Sequence, residues 1–429
     1  MNKKRMILCL DGTWNNTYTE SKRDSGDNVL KPTNVLKIAR AIKPYDLTND
    51  ITQIVYYDSG VGSSTTYPGP ANWMLKTFDK YLGGGWGAGF ESNIEEAITF
   101  LVHNYVPGQN EKESDEVYVF GFSRGAATAC ALCNFISWLG GLPNKNDAYY
   151  IPILFRTYIK TKGKKAAVDV INSINNPTND NKPNKDRIGN LNQVSIKMLG
   201  VWDTVVALGS KMLNIGRKRY FVSEEAPTCV KNVYHAIAID ERRADFKPEI
   251  WTNYNHSQRL TQRWFAGVHS NVGGGYVKDG LANCSLKFMV EAAEKLGIEF
   301  DHTYLKYYRC YPQDRLYRSK SIFYRVLDLV RFKLGLRPIS GRPTSCNQDI
   351  AISALKLMFT DSSKVGQNGK PVHNELKNDY RPKNVIDFLN SLEDPLEYCK
   401  SIWLEQGSHI LSGQELAQID QLLNDILNK

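Results

Sequence analysis

The sequence predicts an α/β fold, with a mostly parallel central sheet flanked by helices, loop insertions and a helical C-terminal extension. Short apolar runs alternate with amphipathic helical segments over the first two-thirds of the chain. Several of these runs are apolar throughout, as strands covered on both faces are. The composition agrees, because 42% hydrophobic and 23% charged residues among 429 are typical of a globular chain and exclude fibrous or disordered classes.

Six apolar runs are predicted to be strands. They cover residues 6–10, 53–57, 116–120, 194–201, 232–239 and 263–268. Helical periodicity connects them, as in residues 94–105, where six apolar side chains recur on one face. This alternation predicts a sheet that grows by successive β-α units.

The pattern divides the chain into two regions. Residues 1–300 carry the predicted strands and form the α/β domain, which is interrupted by insertions near 60–89 and 160–192. These insertions are rich in Gly, Pro and aromatic residues, or in Asn, Lys and Pro. Beyond residue 301 the strand signal fades, so residues 301–429 are predicted to be a mainly helical region that packs on the domain or caps it.

No targeting or membrane segment is recognised in the sequence. The first apolar run ends at Asp11, too early for a signal peptide, and no run approaches the roughly 20 apolar residues of a membrane span. We therefore expect a protein that is made in the cytoplasm without a signal peptide. The eight cysteines are scattered, with one close pair at Cys130 and Cys133, so we expect reduced thiols and no zinc site. The Gly-rich run at 83–89 lacks the ending of a phosphate-binding loop, so nucleotide binding is not expected.

The strongest local pattern lies at residues 117–127. An apolar run leads into Gly-Phe-Ser-Arg-Gly at 121–125, and a helical segment follows. Strand, Gly-x-Ser-x-Gly and helix in this order form the nucleophile elbow of α/β hydrolases, in which a strained turn presents the serine at the carboxyl edge of the sheet. The sequence therefore predicts the α/β-hydrolase fold with Ser123 as nucleophile. The amide of Arg124 is predicted to be one donor of the oxyanion hole.

A serine nucleophile needs a base, and the base needs an acid that orients it. His269 follows a predicted strand and precedes a Gly-rich turn, which puts its imidazole on the same edge of the sheet. Two acids stand at strand ends, Asp203 and Asp240, and the pattern alone does not separate them, although the charges that follow Asp240 are typical of an ion-pair cluster. The turn after the first strand supplies the second oxyanion donor, the amide of Gly12 or Thr13.

Residues 306–337 concentrate the positive charge of the chain. This segment holds nine basic and two acidic side chains, against a net charge of +9 for the whole protein, and it contains seven aromatic residues. It predicts either a basic amphipathic helix that binds an anionic bilayer surface or a helix that packs on the core and turns its charges to water. The candidate membrane contacts, basic here and aromatic in the first insertion, are Arg318, Lys320, Arg325, Trp73 and Trp86.

Four blocks of the sequence resemble the signature of one α/β-hydrolase family. They are residues 10–15 (Leu-Asp-Gly-Thr-Trp-Asn), 121–126 (Gly-Phe-Ser-Arg-Gly-Ala), 200–205 (Gly-Val-Trp-Asp-Thr-Val) and 268–276 (Val-His-Ser-Asn-Val-Gly-Gly-Gly-Tyr). This is the family of phospholipase effectors delivered by bacterial type VI secretion systems, the type six lipase effectors of family one, with related uncharacterised bacterial and fungal proteins. The resemblance implies Asp203 as the triad acid and His269 as the base. Two positions, Asn271 and Cys130, depart from the family pattern outside the triad.

The resemblance implies a phospholipase A-type serine hydrolase and an antibacterial effector that type VI secretion carries into the periplasm of a target cell. The implied partners are a phospholipid membrane surface, a spike protein of the secretion system and a cognate immunity protein. Ester hydrolysis by a Ser-His-Asp triad needs neither metal nor cofactor, and no nucleic-acid recognition motif occurs. The alternatives are an esterase for non-lipid esters and an inactive hydrolase scaffold that serves as a binding protein.

Overall fold

The computed structural model describes residues 3–12, 20–22, 28–60, 85–176, 187–205, 225–243, 246, 248–317, 337–339, 347–359 and 380–407, with single positions between 413 and 424. The strands of these ranges are β1 (Lys4–Leu10), β2 (Glu20–Lys22), β3 (Asn28–Leu30), β4 (Tyr45–Asp46), β5 (Ile51–Asp58), β6 (Glu116–Phe122), β7 (Ile196–Trp202), β8 (Asn232–Ala238), β9 (Arg259–Phe265) and β10 (Gln348–Ile350). The α-helices are α1 (Asn34–Ala41), α2 (Gly85–Asn104), α3 (Arg124–Leu139), α4 (Ile151–Thr161), α5 (Ala167–Asn175), α6 (His269–Gly273), α7 (Gly280–Lys295), α8 (His302–Leu305), α9 (Ile352–Met358), α10 (Lys383–Asn390) and α11 (Pro395–Gln406).

Eight strands form the central sheet in the order β10-β9-β8-β7-β6-β1-β5-β4. Every neighbouring pair is parallel except β4 and β5. Strands β2 and β3 form a separate antiparallel pair. The six predicted strands correspond to β1 and β5 to β9. Strand β6 therefore lies between β1 and β7, so the chain segments that leave these three strands meet at one edge of the sheet.

The side chains of the central strands alternate between two apolar cores. In β1, Met6 and Leu8 lie in the core shared with α2 and α3, whereas Ile7 and Cys9 lie in the core shared with α1 and α7. This alternation follows from the pleat of a strand, which directs successive side chains to opposite faces. Helices therefore cover both faces of the sheet, and the predicted mostly parallel α/β architecture is confirmed.

The region beyond residue 301 contributes a strand that the sequence pattern did not predict. Strand β10 pairs in parallel with β9, and Arg263 makes two hydrogen bonds of 2.7 Å with Asp349 across that pair. Three residues are too few to show a strand periodicity in sequence. Side chains of α9 to α11 pack into the same core as α1 and α7. The C-terminal region is thus joined to the sheet edge, while the predicted division at residue 300 remains a prediction.

Two cysteines are disulfide-bonded, contrary to the expectation of reduced thiols throughout. Cys284 in α7 pairs with Cys310, 26 residues later in the sequence. The segment after α8 folds back on the start of α7, where the amide of Tyr311 donates to the carbonyl of Gly280 at 3.0 Å. No short spacing pattern in the sequence predicts this contact between distant segments. The described thiols that remain free are Cys9, Cys130, Cys133, Cys229 and Cys399.

The two predicted insertions are described in part. Residues 61–84 of the first and 177–186 of the second lie outside the described ranges. The described part of the second is helical in α5, and Asn192 bridges back to Leu142. Among the helices of the described ranges, none combines the length and apolar character that crossing a membrane requires.

Candidate active site

Ser123 lies between β6 and α3 in a backbone conformation that few non-glycine residues adopt. Its φ is 58° and its ψ is −120°, outside the regions allowed for ordinary side chains. A serine at the start of a helix usually accepts a hydrogen bond from the first turn, but the Ser123 side chain makes no capping bond. This strained strand-to-helix turn is the geometry of a nucleophile elbow.

The two glycines of the motif allow the chain to pass closely at the elbow. A Cβ on Gly121 would lie 2.6 Å from the carbonyl oxygen of Gly125. A Cβ on Gly125 would lie 2.1 Å from the carbonyl oxygen of Leu10, at the end of the neighbouring strand. Both distances are shorter than real Cβ contacts, so the residue types at 121 and 125 follow from the close approach of β6, α3 and β1.

Strand pairing brings Asp203 next to the serine. Phe122 lies opposite Trp202 in the register of β6 and β7, so the residues that follow them are neighbours at the sheet edge. The amide of Ser123 donates to the carbonyl of Trp202 at 3.1 Å, and the amide of Val205 donates to the carbonyl of Ser123 at 3.4 Å. Asp203 is fully buried and has a φ of 40°.

The carboxylate of Asp203 contacts the imidazole of His269. Its Oδ2 lies 2.6 Å from Nδ1 of His269, which is the first residue of α6. The imidazole ring is buried against Phe122, with ring centroids 4.6 Å apart, and against the edge of Phe246, at 4.9 Å. Because Phe122 directly precedes Ser123, the ring contact places His269 beside the predicted nucleophile.

Asp240, the alternative acid, has other partners. Its Oδ2 accepts from the amide of Gly267 at 2.7 Å and from the hydroxyl of Tyr380 at 2.8 Å. Burial raises the pKa of its carboxyl, and these two donors offset the rise in part. Of the two strand-end acids, it is therefore Asp203 whose carboxylate is bonded to the His269 imidazole.

The candidate hydrogen-bond donors of the oxyanion hole lie in two neighbouring chain segments, the start of α3 and the turn after β1. Arg124 is the first residue of α3, so its amide lies at the positive end of the helix dipole. The amide of Gly12 donates to Oδ1 of its neighbour Asp11 at 2.7 Å, and an oxyanion role would require it to release that bond. Thr13 lies outside the described residues.

The predicted membrane contacts are not tested by the described structure. Trp73, Arg318, Lys320 and Arg325 lie outside the described residues, and of Trp86 only the backbone, in α2, is described. The last basic residue of the 306–337 segment is described and does not lie at the surface. Arg337 is 6% exposed, because its guanidinium pairs with a buried carboxylate.

Arg337 binds the same carboxylate as His269, a contact that the sequence analysis missed. Its Nη1 lies 2.6 Å from Oδ1 of Asp203, and its Nη2 lies 3.2 Å from Oδ2. Burial alone would raise the pKa of Asp203, but Arg337 and His269 outweigh it and hold that pKa well below its usual range. Burial lowers the pKa of His269, and Asp203 opposes this shift. No local pattern marks Arg337, which lies 134 residues after Asp203.

No group of three or more His, Cys, Asp or Glu side chains within the described ranges is arranged as a metal site. The chemistry that this arrangement supports is nucleophilic attack by a serine with a histidine base. The acid of the set is ionised and the imidazole is biased toward its neutral form, which is the protonation state in which a histidine can accept a proton.

Comparison with known proteins gives a family and several distant relatives. Residues 4–292 match the family described as "T6SS, Phospholipase effector Tle1-like, catalytic domain". The uncharacterized protein YEL023C of Saccharomyces cerevisiae is 26% identical over 260 residues, which is 60% of this chain and 34% of that protein.

Two solved structures are similar to this one over part of their length. An uncharacterized protein from Pseudomonas aeruginosa has a TM-score of 0.40 and 16% identity, with 99% of this chain and 62% of that chain covered. The Tle1 effector bound to the VgrG spike has a TM-score of 0.34 and 18% identity, with 65% and 52% covered. The chain thus spans about one third of the yeast protein and between half and two thirds of each solved chain. Because the family match covers more than half of its residues, the chain belongs to the family of Tle1-like phospholipase effectors of type VI secretion systems, through their catalytic domain.

Proposed function

We propose that this protein is a serine carboxylic ester hydrolase that acts on the acyl esters of phospholipids, as a phospholipase A-type enzyme. The observation that carries the proposal is the 2.6 Å contact between Asp203 and His269 beside the strained Ser123. Ser123 attacks the ester carbonyl, His269 takes the hydroxyl proton and returns it to the leaving alcohol, and Asp203 orients the imidazole. Amides at the start of α3, beginning with Arg124, stabilise the oxyanion.

The test is the hydrolysis of a small soluble ester and of phospholipid vesicles by the full chain and by Ser123→Ala. The variant should fold normally and lose essentially all activity, because members of a triad act as a unit. Ser92→Ala is the matched control, since the Ser92 hydroxyl bonds Glu96 on the exposed side of α2. A fluorophosphonate probe should label the wild type and the control and leave Ser123→Ala unlabelled. Near-normal turnover by Ser123→Ala contradicts the mechanism.

The substrate class is proposed from family membership, and the two substrates separate it from its alternatives. A phospholipase A releases a fatty acid and a lysophospholipid from vesicles, and the acyl chain that is lost identifies the bond cleaved. Hydrolysis of the soluble ester alone would instead favour an esterase for non-lipid substrates. Hydrolysis of neither, by a folded protein, would favour a hydrolase scaffold that serves in binding.

We further propose that the protein acts as an antibacterial effector, delivered by a type VI spike protein into the target-cell periplasm and neutralised by a cognate immunity protein. The family supports this proposal. Expression in a bacterium with an added periplasmic signal should arrest growth, whereas the Ser123→Ala variant should not. Growth arrest that is equal for both forms would contradict an effector whose toxicity depends on hydrolysis.

Residues 306–337, which are rich in basic and aromatic side chains, are proposed to dock the enzyme on anionic lipid. Each Lys or Arg close to an anionic surface contributes roughly 1 kcal/mol to membrane binding. Replacing Arg318, Lys320 and Arg325 with Glu should weaken binding to anionic vesicles and leave hydrolysis of the soluble ester unchanged. Equal loss on both substrates would make the segment structural. Unchanged vesicle binding would mean that the insertion containing Trp73 and Trp86 makes the membrane contact instead.

A further inference from the structure

The carboxylate of Asp203 is fully occupied by donors from three parts of the chain. Oδ1 accepts from Nη1 of Arg337 at 2.6 Å and from the amide of Ala238 at 3.0 Å. Oδ2 accepts from His269 at 2.6 Å and from Nη2 of Arg337 at 3.2 Å. A carboxylate has about four acceptor positions, so Arg337 supplies half of the hydrogen bonds that orient the group to which the imidazole is bonded.

Arg337 is itself held on several sides. Its Nη1 donates to the carbonyl of Ala238 at 2.9 Å, and its Nη2 donates to the carbonyl of Phe246. Its own carbonyl accepts from Nδ2 of Asn384 in α10 at 3.0 Å, and the same amide donates to the carbonyl of Ile239 at 3.1 Å. The guanidinium is therefore fixed relative to the ends of both β7 and β8.

The charged groups around His269 form two matched pairs. Besides Asp203, the carboxylate of Glu241 approaches the backbone amide of His269 at 3.3 Å, and Arg243 bonds both oxygens of Glu241 at 2.9 and 2.8 Å. Arg337 stands in the same relation to Asp203. Each of the two carboxylates that contact His269 thus carries its own bidentate arginine, the geometry in which ion pairs are strongest.

Two other titratable groups near this site stay neutral. His235 in β8 accepts from the amide of Thr204 at 3.3 Å, and burial lowers its pKa to about 4. Burial raises the pKa of Tyr276 above its usual value. Near neutral pH, the field at His269 is accordingly set by the two carboxylate–arginine pairs.

We propose that Arg337 is a positioning residue of the catalytic centre, which fixes the Asp203 carboxylate and limits the negative charge at His269, so that the imidazole stays neutral and able to accept the proton of Ser123. This inference rests on the proposed serine hydrolase function. A carboxylate alone in a buried site stabilises the adjacent imidazolium, so less of the imidazole is unprotonated and able to accept a proton at neutral pH. A guanidinium that bonds both carboxylate oxygens keeps the acid ionised, so the acid still orients the imidazole. Its positive charge also cancels much of the stabilisation of the imidazolium.

The position of Arg337 in the chain gives the proposal a second consequence. The family match ends at residue 292, whereas Arg337 lies in the C-terminal region, where α10 holds its backbone. On this proposal, the C-terminal region completes the electrostatics of the catalytic centre as well as covering the edge of the sheet.

The experiment measures the pKa of His269 by NMR of the full chain with ¹³C-labelled histidine, for wild type, Arg337→Gln, Arg337→Lys and Arg263→Gln. The signal is assigned by its loss in His269→Gln. Arg263→Gln is the matched control, because Arg263 makes a bidentate pair with Asp349 across the β9–β10 edge of the sheet. The pH dependence of kcat/KM on the soluble ester is recorded in parallel.

Arg337→Gln should raise the pKa of His269 by roughly one unit, the effect of losing a nearby positive charge that disfavours the imidazolium, and should move the acid limb of kcat/KM to higher pH by the same amount. Arg263→Gln should lower thermal stability and leave both values unchanged. An unchanged pKa of His269 in folded Arg337→Gln overturns the proposal, because the arginine would then be structural only.

Arg337→Lys keeps the test decisive where the glutamine variant does not fold. It retains the charge with fewer donors, so it should leave the pKa of His269 near the wild-type value and lower kcat without raising KM. A shift as large as one unit overturns the charge argument, and an unchanged kcat overturns the positioning argument. These outcomes are distinct from a failure of the proposed function, which Ser123→Ala reports through activity and which the NMR titration does not depend on.

Discussion

Two buried carboxylates lie on either side of Ser123, and the protein holds them in opposite ways. Asp203 directly follows β7 on one side of β6, and Asp11 directly follows β1 on the other. Both side chains are at most 1% exposed. Asp203 is bonded to an arginine and an imidazole, and its pKa lies well below the usual range of a carboxyl group.

All the described hydrogen-bond partners of the Asp11 carboxyl group are neutral donors. It accepts from the hydroxyls of Thr33 at 2.5 Å and Tyr57 at 2.9 Å, and from the amide of Gly12 at 2.7 Å. Burial raises its pKa to about 7, although these three hydrogen bonds oppose the rise. The difference shows that burial does not by itself decide the charge of a carboxyl group; a cationic partner does.

The largest expected effect is the loss of turnover when the carboxylate of Asp203 is replaced. Asp203→Asn should lower kcat by about 10⁴, because an amide no longer selects the correct tautomer of the base. The measurement is turnover of the soluble ester, with circular dichroism to verify folding. A loss of less than tenfold would mean that Asp203 does not orient His269.

Asp240→Asn is the matched control at the end of the next strand. It removes a charge of the same kind, but its partners are the amide of Gly267 and the hydroxyl of Tyr380. We expect activity close to wild type and a loss of stability of about 1 kcal/mol, the typical contribution of a hydrogen bond. If Asp240→Asn abolishes turnover while Asp203→Asn retains it, the assignment of the acid is reversed.

The pH dependence of activity separates the titration of the two carboxylates from that of the histidine base. His269 must be neutral to accept a proton, and burial lowers its pKa below the usual value. The rate constant kcat/KM should therefore fall tenfold per pH unit below a midpoint that lies under about 6.5, the usual histidine value. Asp11→Asn should leave this acid limb in place. A midpoint near 7 that disappears in Asp11→Asn would assign the titration to Asp11 instead.

Local patterns predict the parts of the molecule that local patterns determine. The parallel strands and the turn at Ser123 follow from apolar runs and glycine spacing, and the sequence alone predicts both. The residues alone leave the choice between Asp203 and Asp240 open, because both acids end neighbouring strands and only the contact with the imidazole separates them. Family resemblance was needed to select Asp203.

Long-range contacts are the part that sequence reasoning misses. Composition groups Arg337 with a basic surface segment, since nothing in its neighbourhood indicates a partner 134 residues away. The pairing of Cys284 with Cys310 and the short β10 have the same origin, because each depends on where the chain returns. The basic composition of residues 306–337 suggests that their charged side chains share a role at the surface. At least one of them, Arg337, instead neutralises the buried carboxylate of Asp203.

The last prediction concerns Asp11 and is a change in stability with pH, with no large effect on turnover. Its pKa is raised to about 7 in the folded protein, against about 3.9 for an unperturbed aspartate. The folded state therefore holds a proton that the unfolded state has released, so the carboxyl stabilises the fold most at low pH. This contribution should fall by at most about 1.4 kcal/mol per pH unit between about pH 4 and 7, and level off above about pH 8.

Asp11→Asn cannot titrate, so the difference in unfolding free energy between wild type and variant isolates this contribution. Urea unfolding at pH 5, 6, 7 and 8 should show the wild type losing stability relative to the variant up to about pH 7, with only a small further loss at pH 8. Thr33→Val is a useful companion, because it removes one donor to the carboxylate and should move the midpoint upward. A difference that does not vary with pH would mean that Asp11 is ionised throughout, and the contrast with Asp203 would then lie in geometry alone.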